Sequence, residues 1–386
     1  MKIALSFPGC HRRGGVERVM FECARYLAGR GHEVTVLASE WEESDWEESA
    51  GEGAVPIRFQ HVPTCRCPFF LRSTSYFRAA TRLAERMDYD VLNTHGVVCP
   101  TGGVMLVHSL HRAWLERSRT LRGPLSLARW KQNLNPLHPI LLRLEARHFR
   151  ERRYRALIAL TPQVKSDLER FYGVPPEDVT VNPNGFSPTE FNPERRQARR
   201  AEMRARLGLE PGQVALLFVA NELERKGYPT LLDALRRLGD PSVRLLVVGN
   251  VDGQQVRRQA AAAGVGGQVL ACGATRDVAG FHAAADLFVL PTQYEAFCLA
   301  ILEALGSGLP VVTTRVSGAQ DAILPGVNGA LITDPRSGEE LAAALAPLLA
   351  GEARAALSQA APASVAAYQW PAVLARYEEI LRKHSR

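Results

Sequence analysis

Two doubly wound α/β domains, each a parallel sheet covered by helices on both faces, are what this sequence predicts. Three observations lead there. The chain has 386 residues, more than one ordinary hydrophobic core accommodates. Short aliphatic or β-branched runs alternate with amphipathic helical stretches from end to end, the rhythm of a parallel sheet. That rhythm breaks once, near residues 175–210, at the polar stretch "ERRQARRAEMRARLGLEPGQ", and then restarts.

The elements follow in order. Ile3 to Phe7 reads as the first strand, Gly15 to Gly29 as a helix and Glu33 to Ala38 as the next strand. "VLNTH" at 91, "ALIAL" at 156 and "VTVNPNG" at 179 continue the first series. "VALLFVAN" at 214, "VRLLVVGN" at 243, "VLACG" at 269, "DLFVLPT" at 286 and "PVVTT" at 310 make up the second. The expected division is residues 1–180, residues 181–368, and a C-terminal helix over 369–386 that closes the second domain or crosses back to the first. On such sheets ligands lie outside the carboxyl ends of the strands. The acidic run at 40–53 reads as a solvated loop.

Hydrophobic content of 46% and charged content of 23% fit a soluble globular protein. There is no run of eighteen apolar residues to span a membrane, and "MKIALSFPGC" reads as a strand rather than a secretory signal. Seven scattered cysteines suit reduced thiols and a cytoplasmic setting. Only Cys65 and Cys67 are close, without a second pair at zinc spacing. The net charge of +7 is uneven: residues 112–155 carry twelve Arg or Lys against three Glu. Trp114, Trp130 and many leucines interleave with those cations. The segment suits an anionic membrane surface or an anionic acceptor, or is a helical hairpin whose leucines face the core. No nucleic-acid motif accompanies it.

Three stretches carry chemistry. Gly14 and Gly15 sit where the first strand's loop turns into a helix, where backbone N–H groups attract anions. The spacing is not that of a dinucleotide fingerprint. In "FVANELERKG", Arg225 and Lys226 lie in the loop after a strand, with Gly227 allowing a tight entry to the next helix; two cations there can neutralise a diphosphate. In "DLFVLPTQYEAFCLAILEALGSG", Glu295 falls in a loop and a helix starts near Cys298. The N–H groups from Ala296 to Leu299 can then face a phosphate. Glu303, a turn into that apolar helix, needs partners, and two vicinal ribose hydroxyls would satisfy its carboxylate.

With "GGVERV", "DVLNTHG", "VNPNGFSPTEFNP", "ERKG", "LLVVG" and the Glu-x7-Glu stretch, the chain resembles the retaining glycosyltransferases of family four, which have the GT-B fold. The "ERKG" loop is most similar to the bacterial lipopolysaccharide-core glucosyltransferase branch. The resemblance implies that Glu295 contacts hydroxyls of the donor sugar and Glu303 holds the nucleotide ribose. Arg225 and Lys226 would neutralise the diphosphate. Backbone at Phe297, Cys298 and Leu299 would line it. Gly15 would lie near donor phosphate and acceptor, and His95 near the reacting sugar carbon. Asn184 and Gly185 match a structural interdomain turn. Two positions depart from the pattern: Asn221 stands where many relatives have arginine, and Cys298 where glycine is commoner.

The implied function is transfer of a hexose from a nucleotide diphosphate sugar, UDP favoured, with retention and without a metal. The acceptor would be a saccharide or lipid-linked glycan of the cell envelope, reached from the inner face of the membrane. The alternatives are a GT-B sugar-nucleotide epimerase and a non-catalytic membrane-associated partner. Asp88-Tyr89-Asp90 imitates a metal-binding D-x-D but leads into a strand. His108 and His111 are three apart with no third ligand nearby, which suits acceptor-site or loop chemistry more than zinc.

Overall fold

The structure is a computed structural model describing residues 1–12, 14–43, 46, 55–65, 71–99, 102–121, 127–316 and 318–386. Cys67 and most of the acidic run 40–53 lie outside the described residues. Two compact units emerge, residues 1–184 with 371–386, and residues 185–370.

Among the described residues nine strands belong to the first unit: β1 (Lys2–Ser6), β2 (Gly9–Cys10), β3 (Glu33–Ala38), β4 (Glu40–Trp41), β5 (Arg58–His61), β6 (Val91–His95), β7 (Val104–Val107), β8 (Ala156–Ala159) and β9 (Val179–Val181). Seven of them form one sheet in the order β5-β3-β1-β6-β7-β8-β9, and all its pairs are parallel. The second unit holds β10 (Val214–Val219), β11 (Val243–Val248), β12 (Val269–Gly273), β13 (Leu287–Leu290), β14 (Val311–Thr314) and β15 (Gly329–Ile332). They too are all parallel, ordered β12-β11-β10-β13-β14-β15. Every residue of β6, β7, β8, β13 and β14 is buried, as parallel strands covered on both faces are, and β8 and β13 read as unbroken apolar runs. The apolar pattern passed over β5, β7 and β15. β5 is an edge strand of polar residues, "RFQH", while β7 and β15 are four-residue strands beside glycines.

Both orders fix a switch point. In the first sheet the chain builds outward from β1 through β3 to β5, then returns to start the other side at β6. In the second it reverses between β10 and β13. At such a reversal neighbouring loops diverge and leave a crevice at the carboxyl ends of the strands. The segment after Ser6 and His95 follow the two strands at the first reversal, and the loops after Val219 and Leu290 follow those at the second.

The helix Trp370–Lys383 starts at the boundary of the second unit and packs within the first. Its Tyr377 hydroxyl donates to Asn93 Oδ1 at 2.9 Å. The buried Glu378 carboxylate takes His32 Nε2 at 3.0 Å, Arg382 at 2.7 Å and Arg30 at 3.3 Å. Burial alone would raise that carboxyl, but His32, Arg382 and Arg30 hold it down at about 2. In the second unit Gly185 lies against Trp370, whose ring a Cβ there would meet at 2.6 Å. That accounts for the glycine of "PNG" by packing alone.

The polar stretch between the two series is the helix Pro193–Arg206, capped by Asn192 accepting from Arg195 N at 2.8 Å, with Pro193 in its first turn. Arg196, Arg200 and Arg204, four apart, share one face. They donate to the carbonyls of Ala284 and Ala285, at the end of the helix Val278–Ala284. Arg200 and Arg204 also pair with the buried Asp286 at 2.6 and 3.2 Å, and Asp286 accepts from Ala215 N on β10 at 2.8 Å. The polar stretch that interrupts the strand rhythm is therefore a cationic strap across the second core.

Among the described residues no single helix is long and apolar enough to cross a membrane. The bent pair Gly338–Leu349 and Gly351–Ser364 passes only as a pair, and its Leu341, Leu345, Leu357 and Ala361 belong to the second core. Asp88 pairs with Lys2 Nζ at 2.5 Å, and Asp90 accepts Lys2 N at 2.8 Å, so both carboxylates of the D-x-D look-alike serve the start of β1.

Candidate active site

In the second unit β10 ends at Val219 and the chain enters a single helical turn, Leu223–Lys226. The two cations thus sit in a turn of helix, where a loop was expected. Gly227 closes the turn at φ 88°, a conformation that suits glycine, and any Cβ there would collide with the Pro291 carbonyl. The close approach brings this turn onto the loop after β13. Gln293 N donates to the Arg225 carbonyl at 2.9 Å. On its other side that loop rests on the segment after β14: Glu295 N donates to Val316 O at 3.1 Å. Gly318, at φ 69°, leaves room for the Ala296–Phe297 peptide.

Glu295 is consequently held where both cations reach it. Lys226 Nζ lies 2.7 Å from Glu295 Oε1, and Arg225 Nη1 donates to the same oxygen. Arg225 also donates to the Tyr294 carbonyl at 2.8 Å and to both oxygens of Glu222, at 2.9 and 3.1 Å. Burial works to lower the guanidinium's pKa, but the Glu222 hydrogen bonds and the Glu295 charge outweigh it and push the group up. Glu222, three residues earlier on the same turn, is an orienting carboxylate that sequence reasoning missed. Its signal was the i, i+3 spacing to Arg225.

Cys298 is the N-cap of the helix Leu299–Gly306, with φ −114° and no side-chain cap. Phe297 is half-buried against the core, Leu299 opens the helix, and Glu303 is buried one turn in. Cys298 is buried as well, and burial raises its thiol pKa despite the charge of Lys226. Glu295 and Glu303 are close enough to push it the same way. Asn221 Oδ1 accepts from Asn250 N at 2.9 Å and ties the loop after β10 to that after β11.

In the first unit, Gly15 is the N-cap of the helix Val16–Gly29 at φ −99°, and a Cβ added there would meet nothing within 4 Å. Neither backbone strain nor packing among the described residues demands glycine at this position. His95, at the end of β6, is fully buried. Its Nδ1 lies 3.0 Å from His108 Nε2, and the two rings stack with centroids 5.1 Å apart. Burial holds His95 well below the usual imidazole value, with the second ring adding to the effect, and holds His108 down at about 3. Two neutral rings share one hydrogen. The fold brings His108 to His95 because β6 and β7 are neighbours, something thirteen residues of sequence separation did not reveal. His111, half-buried, meets His138 at 3.0 Å. Among the described residues no group of three or more His, Cys, Asp or Glu could hold a metal ion.

Residues 13–190 match the model of Glycosyltransferase Family 4, and residues 199–364 match that of Glycosyl transferases group 1. The chain belongs to glycosyltransferase family 4. It is 28% identical to a D-inositol 3-phosphate glycosyltransferase of Xylanimonas cellulosilytica, over 95% of this chain and 91% of that one. It is 27% identical to the lipopolysaccharide glucosyltransferase WaaG of Escherichia coli K12, over 85% and 84%. The crystal structure of WaaG matches with a TM-score of 0.83, at 24% identity over 98% of this glycosyltransferase and 99% of that chain. Anabaena Alr3699/HepE, solved with UDP-glucose, matches with a TM-score of 0.76 at 18% identity over 99% and 100%. The fold is therefore GT-B, and the protein is a glycosyltransferase that draws on a nucleotide sugar.

Proposed function

We propose that this glycosyltransferase moves a hexose from a UDP-sugar, with retention and without a metal, to a saccharide or lipid-linked acceptor of the cell envelope. The convergence of Arg225 and Lys226 on Glu295 at the switch point of the second sheet carries the reading. As the chain stands, two cations share one carboxylate oxygen. A diphosphate offers more acceptor atoms and more charge, so it draws both cations from Glu295, which is then free to accept from hydroxyls of the donor sugar. The uncapped start of the helix Leu299–Gly306 supplies N–H groups to the phosphates through Phe297, Cys298 and Leu299. Glu303 takes the ribose. Charge that grows on the departing phosphate meets Arg225 and Lys226, the part a metal plays elsewhere, and that phosphate accepts the proton of the incoming acceptor hydroxyl on the same face. Gly15 leaves room for ligand at the helix start of the first unit, and the His95–His108 pair steadies the reacting sugar.

HepE is solved with UDP-glucose, and WaaG is a lipopolysaccharide glucosyltransferase; these favour UDP-glucose and an envelope acceptor. The inositol-phosphate relatives keep an anionic acceptor in view. A peripheral contact with anionic membrane on its cytoplasmic face fits residues 112–155. Trp130 and Leu134, four apart on the helix Leu127–Leu134, are 64% and 63% exposed, and Arg143, Arg147 and Arg150 are exposed on the helix that follows. Co-sedimentation with phosphatidylglycerol vesicles should weaken in Trp130→Ser.

The deciding experiment is a thermal-shift panel of UDP-, GDP-, ADP- and dTDP-sugars with and without EDTA, repeated on Glu303→Ala. At a hundred times its dissociation constant, the true donor should add about 2.7 kcal/mol, unaffected by EDTA, and the shift should vanish in the variant. A shift that needs metal, or one that survives in Glu303→Ala, overturns the corresponding part. An inverted product anomer by NMR would overturn retention.

A further inference from the structure

Asn93 is a fully buried amide in the middle of β6. A buried polar group needs partners, and both halves of this amide have one. Its Nδ2 donates to the Val104 carbonyl of β7 at 3.0 Å, and its Oδ1 accepts from the Tyr377 hydroxyl at 2.9 Å. Tyr377 is itself buried and reaches Cys23 of the helix Val16–Gly29.

What this strut touches is the pair of strands that present the two histidines. In the β6–β7 register Asn93 stands opposite Val104, and His95 opposite Leu106. Asn93 and His95 are two apart and so share a face of the sheet. His108 follows directly on β7, which ends at Val107. An amide cross-link two residues before His95 and four before His108 therefore fixes where the two strand ends lie. The terminal helix does not need Tyr377's hydroxyl to stay in place. Glu378, the next residue, anchors it through His32 and Arg30, neither of which lies on β6 or β7. A phenylalanine would fill the same apolar space as Tyr377. Among the described residues the hydroxyl is accounted for by Asn93 and Cys23.

We propose that Asn93 and Tyr377 are positioning residues for the His95–His108 pair: the terminal helix, through Tyr377, holds the Asn93 amide, and the amide sets the 3.0 Å imidazole–imidazole hydrogen bond at the ends of β6 and β7. This rests on the pair being part of the reaction site, as read above. A hydrogen bond weakens steeply once its length or angle drifts, so loss of one buried hydroxyl is felt at the rings.

The test compares full-length Tyr377→Phe, Glu378→Gln and His108→Ala with the wild type. The readouts are the imidazole nitrogen-15 shifts of His95 and His108, melting temperature, and UDP release from UDP-glucose. Tyr377→Phe should move both imidazole signals and lower kcat on the order of tenfold, with KM for UDP-glucose unchanged, as a misplaced group does. Glu378→Gln should lower the melting temperature and leave kcat and the imidazole signals alone. Wild-type imidazole signals and kcat in Tyr377→Phe overturn the proposal, and so do equal changes in Glu378→Gln, which would reduce the effect to a loosened helix. Wild-type turnover in His108→Ala removes the pair from the reaction and overturns the reading beneath; the imidazole shifts of Tyr377→Phe then still decide whether the strut sets the pair.

Discussion

At the switch point of the first sheet stand His95 and His108, rings that burial keeps neutral. At the switch point of the second stand Arg225 and Lys226, cations held by carboxylates. The strand orders are alike, outward on one side of the first strand and then on the other. The two pairs differ in electrostatic character, while the body of each unit buries a carboxylate among cations, Glu378 in the first and Asp286 in the second. His111 and His148 of the first are also held down by burial, each at about 4. The second is strapped by Arg196, Arg200 and Arg204 around Asp286. One topology thus carries a neutral imidazole pair in one unit and a cluster of cations and carboxylates in the other. The choice lies in a few residues at strand ends, because the crevice comes from topology while its chemistry comes from side chains.

The largest test of that contrast removes the charge at the centre of the second unit. Asp286→Ala leaves Arg200 and Arg204 without their buried partner, a change that costs about 3 kcal/mol or more. Hydrogen exchange should rise in β10 and in the helix Val278–Ala284 well before it rises in β6. Uniform loosening of both units would break the comparison.

Next comes chemistry. Lys226→Ala should lower kcat about a hundredfold, as loss of a positioned charge does, with the fold intact by circular dichroism. Full activity would remove Lys226 from the mechanism.

The smallest effect sharpens the contrast by pH. A histidine whose folded pKa lies below its unfolded value near 6.5 stabilises the fold fully above that pH, and the contribution fades as pH falls through the folded value. His111 and His148 place this window between about pH 6.5 and 4. Glu378, lowered to about 2, loses its contribution only below the ordinary carboxylate range. Glu145 works the other way, since its burial outweighs the bond from Tyr172 and raises its carboxyl. Hydrogen exchange corrected for intrinsic rates should therefore show the first unit loosening between pH 6.5 and 4. His148, whose two ring nitrogens lack partners among the described residues, offers the check. His148→Phe should recover about 1 kcal/mol at pH 5 and leave neutral-pH turnover unchanged. Unchanged acid sensitivity would point to the other histidines.

Much of this was legible in the residues. Strands buried on both faces, such as "LFVL" and "ALIA", announce themselves as apolar runs, and the single interruption between two such series pointed to two doubly wound sheets. Glu295, Arg225 and Lys226 stood out because charge placed just past a buried strand is conspicuous. What stayed hidden is partnership. The Glu222 clamp and the arginine strap were written at helical spacing inside a stretch that read as a loop and one that read as a polar interruption, since polar residues carry no core signal.

By itself the sequence determined local periodicity, and hence the class of fold, and the residue types available at each strand end. Only the tertiary structure decided that His108 meets His95, that both cations share one oxygen of Glu295, and that a tyrosine at 377 holds an asparagine at 93. Periodicity is a property of neighbours along the chain. Hydrogen bonds between residues hundreds of positions apart depend on strand order and register, which the whole core selects at once.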